Sequence, residues 1–264
     1  MTQIIEINSL VDRVSYNQHL KDFEGLFSYP FGDNRFRIDH GNDYFSFFES
    51  LGKPYCFAAK ENGKIVALCI AVLRKLPVNG NPSKNVWYLC DLKIHPNYRG
   101  QFIVYKILNY AFPQHSKLSN KIYGISMNSK NDQTNRIVRF ISRLPHLNLK
   151  HKCNIKFYLL KTTDSNFSKR FINKHKSNFI SLSGKKDLIL ESTKQALPIM
   201  HYSKRKFGSS IIEGKQNSNY MFCYEEGHSN CINFSSNNII SVASASVVAN
   251  FTSNSWDFIE SGEI

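Results

Sequence analysis

The chain has 264 residues, 42% of them hydrophobic and 13% aromatic, enough for a packed core and outside the range of disordered chains. No run approaches the ~18–20 uninterrupted apolar residues of a membrane helix, and MTQIIEINSLVDRVSYNQHL lacks a basic start followed by an apolar stretch, so the expected location is the cytoplasm. The formal net charge of +14 allows a phosphate-bearing partner, but no RNP-type aromatic motif or basic recognition helix accompanies it, so nucleic acid is not the expected partner.

In chain order, Gln3–Ile7 reads as a short strand and Ser9–Lys21 as the start of a helix. Asp43–Gly52 reads as a second helix, with Tyr44, Phe47 and Phe48 on one face and Gly52 as its stop. YCFAAK and KIVALCIAVLRKL flank Asn62-Gly63, the strongest short hairpin signal a sequence offers. VNGNPSKN reads as a polar loop. Val86–Ile94 is the next strand, rich in β-branched and aromatic residues and stopped by Pro96. Arg99–Phe112 carries Ile103, Val104, Ile107, Leu108, Ala111 and Phe112 at helical spacing. Lys121–Asn128 reads as a strand, Asp132–Leu144 as a helix ended by Pro145, and His151–Lys161 as a strand. This order predicts one sheet with both antiparallel and parallel pairing, an α+β, or mixed α/β, fold with helices on its faces.

The rest of the chain is expected to be a smaller β-rich lobe, so the predicted division is 1–161 and 162–264. It holds a helix near Ser165–His175, then short strands NFISLSG, DLILES, NYMFCYE, CINFS and IISVASASVVANF, with WDFIESGEI as a closing strand. Its charge is segregated. His146–Phe207 has fourteen Lys/Arg against three Asp/Glu, while beyond it Lys215 faces six acids. Asp257, Glu260 and Glu263 give the end an acidic character that suits either a cationic ligand or a solubilising terminus.

Four of the six cysteines sit in apolar runs and no CxxC pair occurs, which predicts reduced, buried thiols. Cys223, His228 and Cys231 approach metal-ligand spacing. A structural zinc site needs four ligands, so a hairpin strand with buried cysteines and a loop histidine is the preferred reading, and no metal is expected.

The segment Asp91–Phe112 carries the chemistry. A strand ends at Ile94, a short turn holds Asn97, Arg99 and Gly100, and a helix follows. The first amides of a helix lack internal partners and lie at the positive end of its dipole, which suits a phosphate. Arg99 adds a fork of donors, and Gly100 allows close backbone approach.

The segment resembles motif A of the GNAT (GCN5-related) acyltransferase superfamily, Arg/Gln-x-x-Gly-x-Gly/Ala after a strand of form Leu-x-Val-x-Pro. Leu92, Ile94 and Pro96 match the strand, Arg99 opens the motif, and Gly100 with Gln101 match the common filler. Phe102 and Val104 stand at its two small positions. The resemblance extends to the element order of residues 1–161. It implies acyl-CoA, most simply acetyl-CoA, as co-substrate, held by Leu92, Lys93, Ile94, Arg99, Gly100, Gln101, Phe102, Ile103 and Val104, with Asn128 and Asn131 on the following segment. It also implies that the next strand splays away to admit the pantetheine arm, and that a backbone amide of Leu92–Ile94 polarises the thioester. The family's proton-donating tyrosine has no match, since Phe140 and Ile141 fall near its position. Asp91 is the first choice of general base, against the plainer reading of a turn cap or a lysine partner. Tyr158 and His95 are weaker choices. The expected activity is N-acyl transfer to a primary amine of a small molecule or protein. The alternatives are a degenerate fold that binds CoA or a partner without turnover, and a basic nucleic-acid-associated protein.

Overall fold

In a computed structural model, the structure describes residues 2–78, 81–129, 136–144, 147–175, 186–201 and 219–263. The elements run β1 (Gln3–Glu6), α1 (Leu10–Glu24), β2 (Tyr29–Phe31), β3 (Asn34–Asp39), α2 (Ser46–Leu51), β4 (Lys53–Glu61), β5 (Lys64–Val78), β6 (Asn81–Ile94), α3 (Ile103–His115), β7 (Ile122–Met127), α4 (Arg136–Ile141) and β8 (Lys150–Lys161). They continue with α5 (Asn166–Lys174), β9 (Asp187–Leu190), β10 (Ile199–His201), β11 (Asn219–Glu225), α6 (Ser229–Ser236) and β12 (Ser241–Ala249). No helix among the described residues is long and apolar enough to cross a membrane.

Among the described residues, nine strands form one sheet in the order β1-β4-β5-β6-β7-β12-β8-β11-β10, and β2-β3-β9 form a second. The β6–β7 and β10–β11 pairs are parallel and the other pairs antiparallel, so the mixed sheet flanked by helices is as the sequence predicts. β12 lies between β7 and β8. The described residues beyond Lys161 thus contribute β10, β11 and β12 to the sheet that residues 1–161 begin, and β9 completes the small sheet begun by β2 and β3.

Alternation along β4 shows how the sheet divides its burial. Cys56 and Ala58 face a core with Leu20 and Phe23 of α1 and Phe47, Phe48 and Leu51 of α2. Tyr55, Phe57 and Ala59 face the other side, against Ile103, Val104, Ile107 and Leu108 of α3. Each of those four side chains is buried, worth ~1.5–3 kcal/mol apiece. A third cluster joins Phe171 and Ile172 of α5 and Phe234 of α6 to β8 and β11. Gly52 lets α2 meet the sheet, because a Cβ there would lie 2.5 Å from the Leu73 carbonyl oxygen.

Several expectations change. Where the sequence VNGNPSKN reads as a polar loop, β5 runs to Val78 and β6 starts at Asn81. The helix after Pro96 begins at Ile103 and runs on through Pro113 to His115, with Arg99–Phe102 in the loop before it. CINFS lies in α6, capped by the His228 ring, whose Nδ1 accepts from Asn230 N (3.1 Å). Its buried Cys231 and Phe234 are three apart, the helical rather than the strand period. WDFIESGEI ends in a 3-10 turn over Ser261–Glu263 rather than a strand. The acidic end does not reach solvent as a whole. Glu260 and Glu263 are buried, and Glu263 pairs with Arg74 through two 2.7 Å bonds. NFISLSG lies outside the described residues. All six cysteines are free thiols. Cys231 donates to the Glu225 carbonyl and Cys223 to that of Ile259, so neither bears out a shared metal site with His228.

Candidate functional site

The site forms where β6 changes character. Ile70 of β5 pairs with Asp91, but Ala71 pairs with Leu89, leaving Cys90 as an extra residue. Such a bulge resets the alternation. Tyr88 and Cys90 face the α1/α2 core, and Asp91 and Lys93 turn to that same side, where they bond to α1 and Tyr44. Leu89, Leu92 and Ile94 face α3.

Beyond the bulge β6 loses its other neighbour. It pairs with β7 only at Trp87–Ile122, Tyr88–Tyr123 and Leu89–Gly124. β6 then continues to Ile94 bonded to β5, and β7 continues to Met127 bonded to β12. The two strands fork. The His95 amide donates to Val66 of β5 (2.9 Å). Extended geometry therefore turns the amides of Leu92 and Ile94 to the opposite edge, into the fork.

A cavity of about 160 Å³ occupies the fork and reaches both faces of the sheet. Val138 and Ile141 of α4 line it on one side, and Phe36, Phe47, Phe48 and His40 on the other. An extended ligand inserted there would bond to strand edges along its length, as an added strand does.

The loop from β6 to α3 lies at the end of the fork. A 3-10 turn spans Pro96–Tyr98, and His95 Nδ1 accepts from Asn97 N (3.2 Å). Gly100 has φ +82 and Phe102 φ +57. Both are left-handed, the conformation glycine adopts freely and other residues at a cost. Phe102 therefore keeps the backbone of a glycine-rich loop without its glycine, and its ring is 70% exposed. The first bond of α3 runs from Lys106 N to Phe102 O (3.1 Å), so Ile103, Val104 and Tyr105 present the helix's leading amides. The Ile103 and Val104 side chains point away into the core. Val104 thus leaves the amide face clear despite its bulk. Arg99 and Gln101 are exposed on the loop.

Asp91 is not a lone carboxylate. It accepts from Tyr44 Oη (2.7 Å) and from the Lys93 ammonium. Lys93 also donates to Glu24 Oε2 at the end of α1 (2.5 Å), and Tyr44 is 3.2 Å from that same oxygen. All four groups are buried. The two carboxylates raise the Lys93 pKa well above the ordinary lysine value, although burial opposes them. Burial pushes Glu24 up to about 7 against the pull of Lys93. Among the described residues its Oε1 has no hydrogen-bond partner, and Glu24 lines a neighbouring cavity of about 210 Å³, which shares Ile38 and His40 with the first. Glu24, His40 and Asp91 lie close enough to hold a cation. The Lys93 ammonium already bridges the two carboxylates, so the donor set fits no additional metal.

The structure brings Asp91, Leu92, Lys93 and Ile94 to the fork and Arg99–Val104 to the loop and helix tip. The side chain of Asn128 is held by β12, donating to Ser244 Oγ (3.4 Å) and accepting from Ser246 Oγ (2.8 Å). Asn131 lies outside the described residues. Tyr158 packs against Phe234 in the third core, away from the fork, and His95 is the cap of the 3-10 turn. Sequence reasoning misses Glu24, an acid at a helix end whose partner lies sixty-nine residues on.

A mixed sheet with a fork between its central parallel strands, and a helix N-terminus beside it, defines a class of fold. Residues 17–136 match the acetyltransferase (GNAT) family. A tandem GNAT protein from the clavulanic acid biosynthesis pathway shares the fold over 96% of this chain and 100% of its own, with 6% identity and a TM-score of 0.50. Similarity also extends to Naa50 of Arabidopsis thaliana in complex with a bisubstrate analogue, at 17% identity over 58% of this chain and 87% of that one, TM-score 0.38. A GCN5-related glucosamine N-acetyltransferase region of a fungal multi-domain β-N-acetylglucosaminidase matches at 13% identity and TM-score 0.41. There 68% of this chain is covered, and the chain spans only 21% of that protein's length. No curated protein sequence matches.

Proposed function

We propose that the protein is an N-acyltransferase that moves an acyl group from acyl-CoA to a primary amine by direct attack. The observation that carries this reading is the cavity that crosses the sheet through the β6–β7 fork. The pantetheine arm would lie along β6, bonded by the Leu92 and Ile94 amides. The pyrophosphate would meet the leading amides of α3 and the Arg99 guanidinium. The thioester carbonyl would then sit by a β6 amide, which stabilises the oxyanion of the tetrahedral intermediate. The 160 Å³ cavity suits a short acyl chain such as acetyl.

We assign the general base to Glu24, with Asp91 holding Lys93 and Tyr44 in place around it. A base is most effective with a pKa near the working pH, and burial sets Glu24 at about 7. Among the described residues its Oε1 has no hydrogen-bond partner, so that oxygen is uncommitted, and Glu24 lines the cavity beside the fork where an acceptor amine would sit. Asp91 has both oxygens committed to Tyr44 and Lys93. A second reading is binding of CoA without turnover. It is favoured by Phe140 and Ile141 at the place of a tyrosine acid, whose loss lowers a rate by about 10²–10⁴-fold. Acetyl-CoA with a panel of primary amines, followed by free-thiol release, separates the two. Amine-dependent release supports transfer. Thermal stabilisation without release supports binding alone, and neither effect refutes both.

A further inference from the structure

The fork cavity contains two lysines in different circumstances. Lys93 is held between Glu24 and Asp91. Lys186, one residue before β9, lines the same cavity on the α1/α2 side. It is 8% exposed, and its Nζ lies 4.4 Å from the centroid of the Phe47 ring. Among the described residues no carboxylate approaches it within ion-pairing distance, although Asp91 and Glu24 are near enough to favour its charged form. The small sheet β2-β3-β9 covers this side of the cavity, so Lys186 is presented to the fork and not to bulk water.

We propose that Lys186 is an internal acyl acceptor, so that the protein acylates its own cavity lysine when acyl-CoA is bound and no external amine is present. The inference rests on the proposed acyl-CoA site. The neutral Nζ attacks the thioester carbonyl, the C–N bond forms and the C–S bond breaks. The amine gives up one proton and the departing thiolate takes up one, leaving Nε-acyl-lysine and free CoA. Burial, with the Lys93 charge nearby, lowers the ammonium to about 8. A far larger share of Lys186 than of a solvated lysine, by about two orders of magnitude near neutrality, is then nucleophilic. The product amide is uncharged, which removes an unpaired cation from the cavity, and it fills the space an external acceptor needs.

The test is to incubate the full chain with acetyl-CoA and no amine, then map acetylation by peptide mass spectrometry. Acetylation at Lys186 is expected to exceed that at the exposed Lys106 and Lys117 at least ~10-fold. K186R should remain stabilised by CoA while losing the modification at that position. Lys186 left unmodified, while acetyl-CoA stabilises the protein and acetylates an added amine, would overturn the proposal and leave the transferase reading standing. Equal modification across surface lysines would also overturn it, as solution acylation. Lack of any stabilisation by CoA would remove the underlying site and this proposal with it.

Discussion

Phe102 offers a prediction whose sign is set by backbone geometry. Its φ of +57 places a non-glycine residue in the left-handed region at the start of α3, at a cost of ~1–2 kcal/mol. Glycine there relieves that cost but adds ~0.5–1 kcal/mol of unfolded-chain entropy. The ring is 70% exposed, so little buried surface is lost. F102G should therefore be more stable by ~0.5–1 kcal/mol, a Tm gain of ~1–4 °C. F102A keeps the strain and serves as the control, with no gain. F102G should also bind CoA at least as tightly as the parent, because the leading amides keep their geometry and an exposed ring beside them is gone. Paired thermal melts and calorimetric titrations check both. A loss of more than ~1 kcal/mol of stability, or weaker binding in F102G than in F102A, would refute the reasoning.

E24Q tests the proposed role of Glu24 as general base. Parent turnover should rise on an acid limb with a midpoint near the Glu24 value of about 7, and E24Q should lose most of the rate and that limb together. The stability sign is also fixed. The folded carboxyl titrates above its unfolded value, so its contribution is full below about 4.5 and is lost as pH rises through about 7. Parent stability should fall relative to E24Q across that window by ~1–3 kcal/mol, measured by denaturant melts at several pH values. E263Q leaves the Arg74 guanidinium buried against a neutral amide, and Arg74 is 1% exposed in its side chain. That should cost ~3–5 kcal/mol and lower the melting midpoint by roughly 8–15 °C. G52A forces a Cβ toward the Leu73 carbonyl at 2.5 Å and should lower the melting midpoint further than G63A, which meets no atom within 4 Å and incurs only the strain of a side chain at φ +77.

Where the signal is local, the sequence already shows the structure. Asn62-Gly63 turns β4 into β5 with both residues at positive φ, as that dipeptide predicts. NYMFCYE is β11 to the residue, because its apolar and aromatic run has flanking polar stops. CINFS misleads because four or five apolar-rich residues do not distinguish a strand from a helix turn. β2 and β10 are three residues each, too short for any period. The insertion of β12 between β7 and β8 is a long-range choice of neighbour that no window of sequence contains. The candidate site divides along the same line. The strand, turn and helix of Asp91–Phe112 are contiguous and legible. Glu24, Tyr44 and Lys186 reach the fork from distant segments and become visible only once the sheet is assembled.

The β6–β7 fork is the proposed seat of acyl-CoA. Hydrogen–deuterium exchange, resolved to single amides, tests it most directly when the protein is compared with and without saturating acetyl-CoA. Protection should appear at Leu92 and Ile94 and at the leading amides of α3, with His95, already bonded to Val66, unchanged. Saturable binding that leaves Leu92 and Ile94 exchanging as before would contradict the account.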